Sequence, residues 1–132
     1  MEETMKKRVV LLSLLWLVVP VVSAVAHHGY GEYDRDRMVT LEGAVKKVVW
    51  ANPHVTITLD AGNQGEYSVE WGSVAQLTRQ GMYTAMLKAG DRVTVTGAVN
   101  KNPEKRIITL LREIRRPSDG WRWADARYEP SK

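Results

Sequence analysis

Residues 41–59 constrain the fold more than any other part of the chain. They read Leu41-Glu42-Gly43-Ala44-Val45-Lys46-Lys47-Val48-Val49-Trp50, then Ala51-Asn52-Pro53-His54, then Val55-Thr56-Ile57-Thr58-Leu59. Leu41, Val45 and Val49 alternate with polar positions, and Val55, Ile57 and Leu59 alternate with His54, Thr56 and Thr58. A period of two is the mark of a strand with one buried face. Pro53 has no amide to donate and biases Asn52 toward extended geometry, so the two runs must be separate strands joined by the Asn-Pro turn. Gly43 inside the first run predicts a bulge or sharp bend. A long, bent first strand is how a small closed barrel turns its corner.

The residues that follow extend the pattern. Residues 61–65, Ala-Gly-Asn-Gln-Gly, form a turn, and Tyr67, Val69 and Trp71 alternate with Ser68 and Glu70 as a third strand. A simple hairpin pairs Asp60 with Glu66 and Thr56 with Glu70, which places His54 diagonal to Glu70 on the polar face. Ser73-Val74-Ala75-Gln76 fits a capping box, with Ser73 as N-cap. Val74, Leu77 and Thr78 then share one face of a short helix that ends at Gly81. Ala89-Gly90-Asp91 turns the chain. Val93, Val95 and Val99 define a fourth strand with a bend at Gly97, and residues 107–114 form a fifth. Three strands, a helix and two more strands predict an all-β fold with one short helix, a five-stranded OB-fold-like barrel.

The start of the chain reads as an export signal. Lys6, Lys7 and Arg8 precede an apolar run over residues 9–22, broken only by Ser13 and Pro20, and Ala24-Val25-Ala26 supplies the small residues of a cleavage site. The run is short for a membrane span. Cleavage after Ala26 makes His27 the first mature residue. The expected organisation is a cleavable signal peptide over residues 1–26 and a mature N-terminal arm over 27–37. A barrel domain over 38–115 and a C-terminal tail over 116–132 carrying Trp121 and Trp123 complete it. The expected location is periplasmic or secreted, with no membrane span after cleavage.

Composition removes several classes of function. The 132-residue chain carries a formal charge of +4, spread along the sequence, without the clustered basic blocks of a nucleic-acid binder. It has no cysteine, which excludes disulfides, thiol chemistry and zinc–thiolate sites. No Ser-His-Asp spacing or phosphate-cradling glycine loop occurs. Glu42, Glu66 and Glu70 lie on strands where carboxylates ordinarily form solvated faces. No catalytic constellation is recognised.

The three histidines are not scattered. His27 and His28 open the mature chain, and His54 follows the Asn-Pro turn. An N-terminal histidine offers a metal two nitrogens, its α-amine and its ring. A third nitrogen from another imidazole completes a T-shaped set suited to Cu(II), known as a histidine brace. The candidate metal ligands are His27, His28 and His54, with Glu70 and Tyr30 as supporting or axial groups. The implied cofactor is copper. Against this stands the ordinary reading of such a histidine as a surface residue. A second class of function, a non-metal ligand- or protein-binding module of the periplasm, would use Trp50, Trp71, Trp121 and Trp123 as a stacking surface. Packing of Trp50 and Trp71 into the core, with the tail tryptophans over an open barrel end, is the alternative role for these rings.

Together these residues resemble a family of exported bacterial proteins of unknown function. The similarity rests on His27-His28-Gly29-Tyr30, Tyr33-Asp34, Leu41-Glu42-Gly43-Ala44-Val45 and Asn52-Pro53-His54. It continues through Val69-Glu70-Trp71, residues 77–81 and residues 87–95. Gly29-Tyr30 stands where the family typically has Ser-Phe, and Met82 where it usually has tryptophan. The resemblance implies a small exported β-domain and no established activity.

Overall fold

A computed structural model describes residues 30–127. After a short 3-10 turn at Tyr30–Glu32, six strands follow: β1 (Tyr33–Val49), β2 (Thr56–Asp60), β3 (Glu66–Glu70), β4 (Arg92–Asn100), β5 (Ile107–Arg116) and β6 (Trp121–Ala124). The one α-helix, α1 (Val74–Arg79), lies between β3 and β4. Strand order is β3-β2-β1-β4-β5-β6, and a further β3–β5 pairing closes the first five strands into a ring. All neighbours are antiparallel except β3 and β5, which pair in parallel. The expected OB-like barrel is therefore present, with a sixth strand added outside the ring.

β1 makes the closure possible. Its first part pairs with β4 as far as Ala44↔Arg92, and its second part pairs with β2 from Ala44↔Asp60 onward. The change of partner falls at Ala44, directly after Gly43. There an added Cβ would collide with the carbonyl oxygen of Asp60 and approach Leu59 Cγ to 2.9 Å. Glycine is needed at this corner because β2 crosses against the backbone itself. The register shift that bends β1 lies just beyond, between Val45 and Lys47. The predicted bend at Gly97 coincides with a register shift between Thr96 and Ala98.

The core is lined by most of the alternating residues read from the sequence; Val49 is an exception, exposed beyond the register shift between Val45 and Lys47, with Val48 packed on the core instead. Val45, Val55, Ile57, Leu59, Val69, Val93 and Val95 are buried, and Ile108, Leu111 and Ile114 from β5 join them. Leu77 of α1 is fully buried over one end. The helix starts as expected, with Ser73 Oγ accepting from Gln76 N–H at 3.2 Å. It ends in a paired turn, where Gly81 N–H donates to Thr78 O and Met82 N–H to Leu77 O, with Gly81 at φ +79°.

Two boundaries differ from the sequence reading. β1 begins at Tyr33 rather than Met38, because Tyr33 is buried and pairs with Asn100. Residues 34–37 then bulge out of register, and their alternating charges concealed the strand. The tail also contributes β6, since Trp123 packs on the core and the ladder runs from Arg116↔Trp121 to Glu113↔Ala124. Arg116 fastens this end. It donates to Met86 O at 2.8 Å, Asp91 Oδ2 at 2.7 Å and Asp119 Oδ2 at 2.8 Å, and it stacks on the Trp121 ring. Among the described residues, no helix is long and apolar enough to cross a membrane.

Candidate functional site

The Asn-Pro-His turn is held from both sides. Asn52 Oδ1 accepts from Val74 N–H at 3.2 Å, joining the turn to the first residue of α1. Just past the turn, Val55 N–H donates to Gly72 O at 3.0 Å and Trp71 N–H to Val55 O at 2.8 Å. Asn52 and Pro53 are joined by a cis peptide bond. These bonds fix the backbone of His54 while leaving its side chain exposed.

The β2–β3 register is the expected one, with Asp60↔Glu66 and Thr56↔Glu70. His54 and Glu70 therefore lie on the same outer face, His54 two residues before the partner of Glu70. Glu70 is half-exposed, and its Oε2 accepts from Thr109 Oγ1 at 3.0 Å across the β3–β5 seam. Among the described residues, no three His, Asp or Glu side chains form a metal-holding group. His27 and His28 lie outside the described residues, as does the expected cleavage site. Tyr30 begins the 3-10 turn.

The segment entering β1 is anchored close to Glu70. Lys101 Nζ donates to Gly31 O at 2.8 Å, Lys101 N–H to Glu32 O at 2.8 Å, and Lys105 Nζ pairs with Glu32 at 3.3 Å. Burial, and next the negative charge of Glu70, push the Tyr33 phenol pKa up, while the Asn100 side chain pulls it partly back. Asn100 Nδ2 is buried with no hydrogen-bond partner among the described residues, and Asn100 Oδ1 accepts from Asn102 N–H. In sequence, Tyr33 stands out only through the Tyr33-Asp34 pair of the family resemblance, and Asn100 through no motif. Their role follows from a cross-strand pairing that local pattern does not reveal.

Trp50, Trp71, Trp121 and Trp123 divide between core and rim. Trp71 and Trp123 are buried, and Trp50 and Trp121 are half-buried. Trp50, Trp71 and Trp123 form a chain of edge-to-face contacts, with centroids 6.2 Å and 5.4 Å apart. Trp123 Nε1 donates to Gln80 Oε1 at 2.9 Å, tying β6 to the end of α1.

On the outer face of β5 and β6, Glu113 is buried between Arg115 and Arg122. Burial alone would raise its carboxyl pKa, but hydrogen bonds from both guanidiniums outweigh that and hold it below the usual carboxylate range. In the sequence it is the one acid of residues 107–116, set among Arg112, Arg115 and Arg116.

Residues 15–108, more than half of the chain, match the model of a family of unknown function, DUF6152. The chain belongs to this family. The matched segment takes in β1 to β4 and the first residues of β5, while β6 lies beyond it. No curated protein matches the chain.

Proposed function

We propose that this DUF6152 protein is an exported carrier or accessory protein that binds a transition metal, copper, through the mature N-terminal histidine and His54. The observation that carries the reading is the setting of His54, an exposed imidazole on a turn pinned by Asn52 and Val55, on the face that bears Glu70. A ligand held by fixed backbone loses little freedom on binding metal. Tyr33 sits within the electrostatic reach of Glu70, and the three residues from Tyr30 back to His27 can span up to about 10 Å.

In this reading the α-amine and ring of His27 chelate Cu(II), His54 supplies the third nitrogen, and His28 is the alternative imidazole. Glu70 or Tyr30 would approach the axial position or orient a ligating ring. The α-amine must lose a proton to bind, so affinity should rise as pH approaches its pKa of about 8.

The test uses the processed protein beginning at His27. One equivalent of Cu(II) is added, and the electron spin resonance spectrum is compared with those of His54→Ala and a variant with one alanine placed before His27. A nitrogen-rich spectrum that both changes abolish supports the brace. Binding no tighter than micromolar, about −8 kcal/mol, overturns it in favour of the non-metal module.

A further inference from the structure

β6 ends the sheet. On one side it pairs with β5, and among the described residues no strand covers its other side. Which backbone groups face outward follows from the ladder. Asp125 N–H donates to Arg112 O at 2.8 Å, which makes 112 and 125 a hydrogen-bonded pair. Antiparallel pairs alternate, so Glu113↔Ala124 and Arg115↔Arg122 are the non-bonded positions. The amide and carbonyl groups of Arg122 and Ala124 therefore point away from β5, toward the open edge.

The charge beside that edge is one-sided. Arg115 and Arg122 are directly opposite each other, in the type of pair where side chains come closest. Like charges so placed repel, and Glu113 holds them, bridging both guanidiniums. Next to it Asp125 is shared by Arg112 at 3.4 Å and Arg127 at 3.1 Å. Both carboxylates are more buried than the arginine on their outer side. Around Glu113 the exposed charge is positive, carried by Arg115 and Arg122.

We propose that the β6 edge is a docking surface for an extended acidic segment of a partner protein. The segment adds a strand beside β6, bonding to the backbone of Arg122 and Ala124, and sets carboxylates against Arg122 and Arg115. A second copy of the chain fits poorly, because two-fold pairing of β6 with itself brings arginine-rich faces together. This surface is distinct from the His54 turn and does not depend on the copper reading.

An octapeptide alternating valine and glutamate is the probe, with a valine–lysine octapeptide as its control. Each is titrated into the isotopically labelled protein while backbone amide resonances are followed. The expected result is saturable shifts centred on Arg122 and Ala124 with the glutamate peptide alone. Affinity should fall at least tenfold between 50 mM and 500 mM salt. Ala124→Pro removes one outward amide and leaves the β5 ladder intact, since proline is tolerated on edges with the N–H side open. That variant should keep its melting temperature within a few degrees and lose binding at least tenfold. Equal shifts with the lysine peptide, shifts elsewhere, or undiminished binding to a folded Ala124→Pro variant would each overturn the proposal. So would concentration-dependent dimerisation through β6 without peptide.

Discussion

Asn52 and Val74 are joined by a side-chain-to-backbone hydrogen bond of 3.2 Å that links the Asn-Pro-His turn to the first residue of α1. The bond uses an amide that the helix itself cannot satisfy. It also sets the direction in which His54 leaves the barrel. Asn52→Ala should cost about 1 kcal/mol in urea unfolding. If the copper reading holds, the same variant should weaken Cu(II) binding while leaving the far-ultraviolet circular dichroism unchanged. Retained affinity would mean that the turn does not orient the ligand.

Gly43 carries the corner of the barrel. An alanine there has no room, because the obstacle is the Asp60 backbone and not a flexible side-chain end. Gly43→Ala should destabilise the protein by about 3 kcal/mol, at the upper end of what overpacking costs. Denaturant midpoints measure this directly, and an effect below about 0.5 kcal/mol, the range of ordinary surface changes, would contradict the close crossing of β1 and β2.

Glu113 titrates in a linked way with folding. Its carboxyl is held below the ordinary range by Arg122 and Arg115. A depressed carboxyl gives stability that is present above the unfolded pKa, about 4.3. That contribution is lost as pH falls through the lower, folded value. The stability difference between the native protein and Glu113→Gln should therefore be about 2 kcal/mol at pH 7. It should shrink steadily below pH of about 4. A difference independent of pH would remove the role assigned to this charge.

Trp123 decides whether the tail belongs to the domain. Its ring packs on Trp71, and its Nε1 reaches Gln80. Trp123→Ala should cost about 3–5 kcal/mol, as for other large buried aromatics. Trp123→Phe should lose chiefly the hydrogen bond, about 1 kcal/mol. Thermal melts of the two variants distinguish a structural strand from a dispensable extension.

Much of the barrel was legible in residue order. Val55-Thr56-Ile57-Thr58-Leu59 and Tyr67-Ser68-Val69-Glu70-Trp71 state their buried faces by alternation, and the five-residue turn over 61–65 sets the Thr56↔Glu70 register. Ser73 and Gly81 marked both ends of α1 because capping is local chemistry, satisfied within a few residues. The exposed position of His54 followed from its polar phase in the alternation that leads into β2.

Tertiary structure decided what depends on pairing between distant segments. Tyr33 joined β1 because Asn100 lies across from it, and the charges at residues 34–37 masked that continuity. Trp121–Ala124 became a strand because Trp123 found Trp71 and Gln80, partners more than 40 residues earlier in the chain. Glu113 became a bridge between two guanidiniums only when β6 set Arg122 opposite Arg115. Alternation and capping are written within a few residues, so the sequence alone determined the barrel strands, the helix and the histidine at the turn. Burial of Tyr33 and Trp123 and the charge pattern of the β6 edge arise from contacts across the sheet, and only the closed fold brings those residues together.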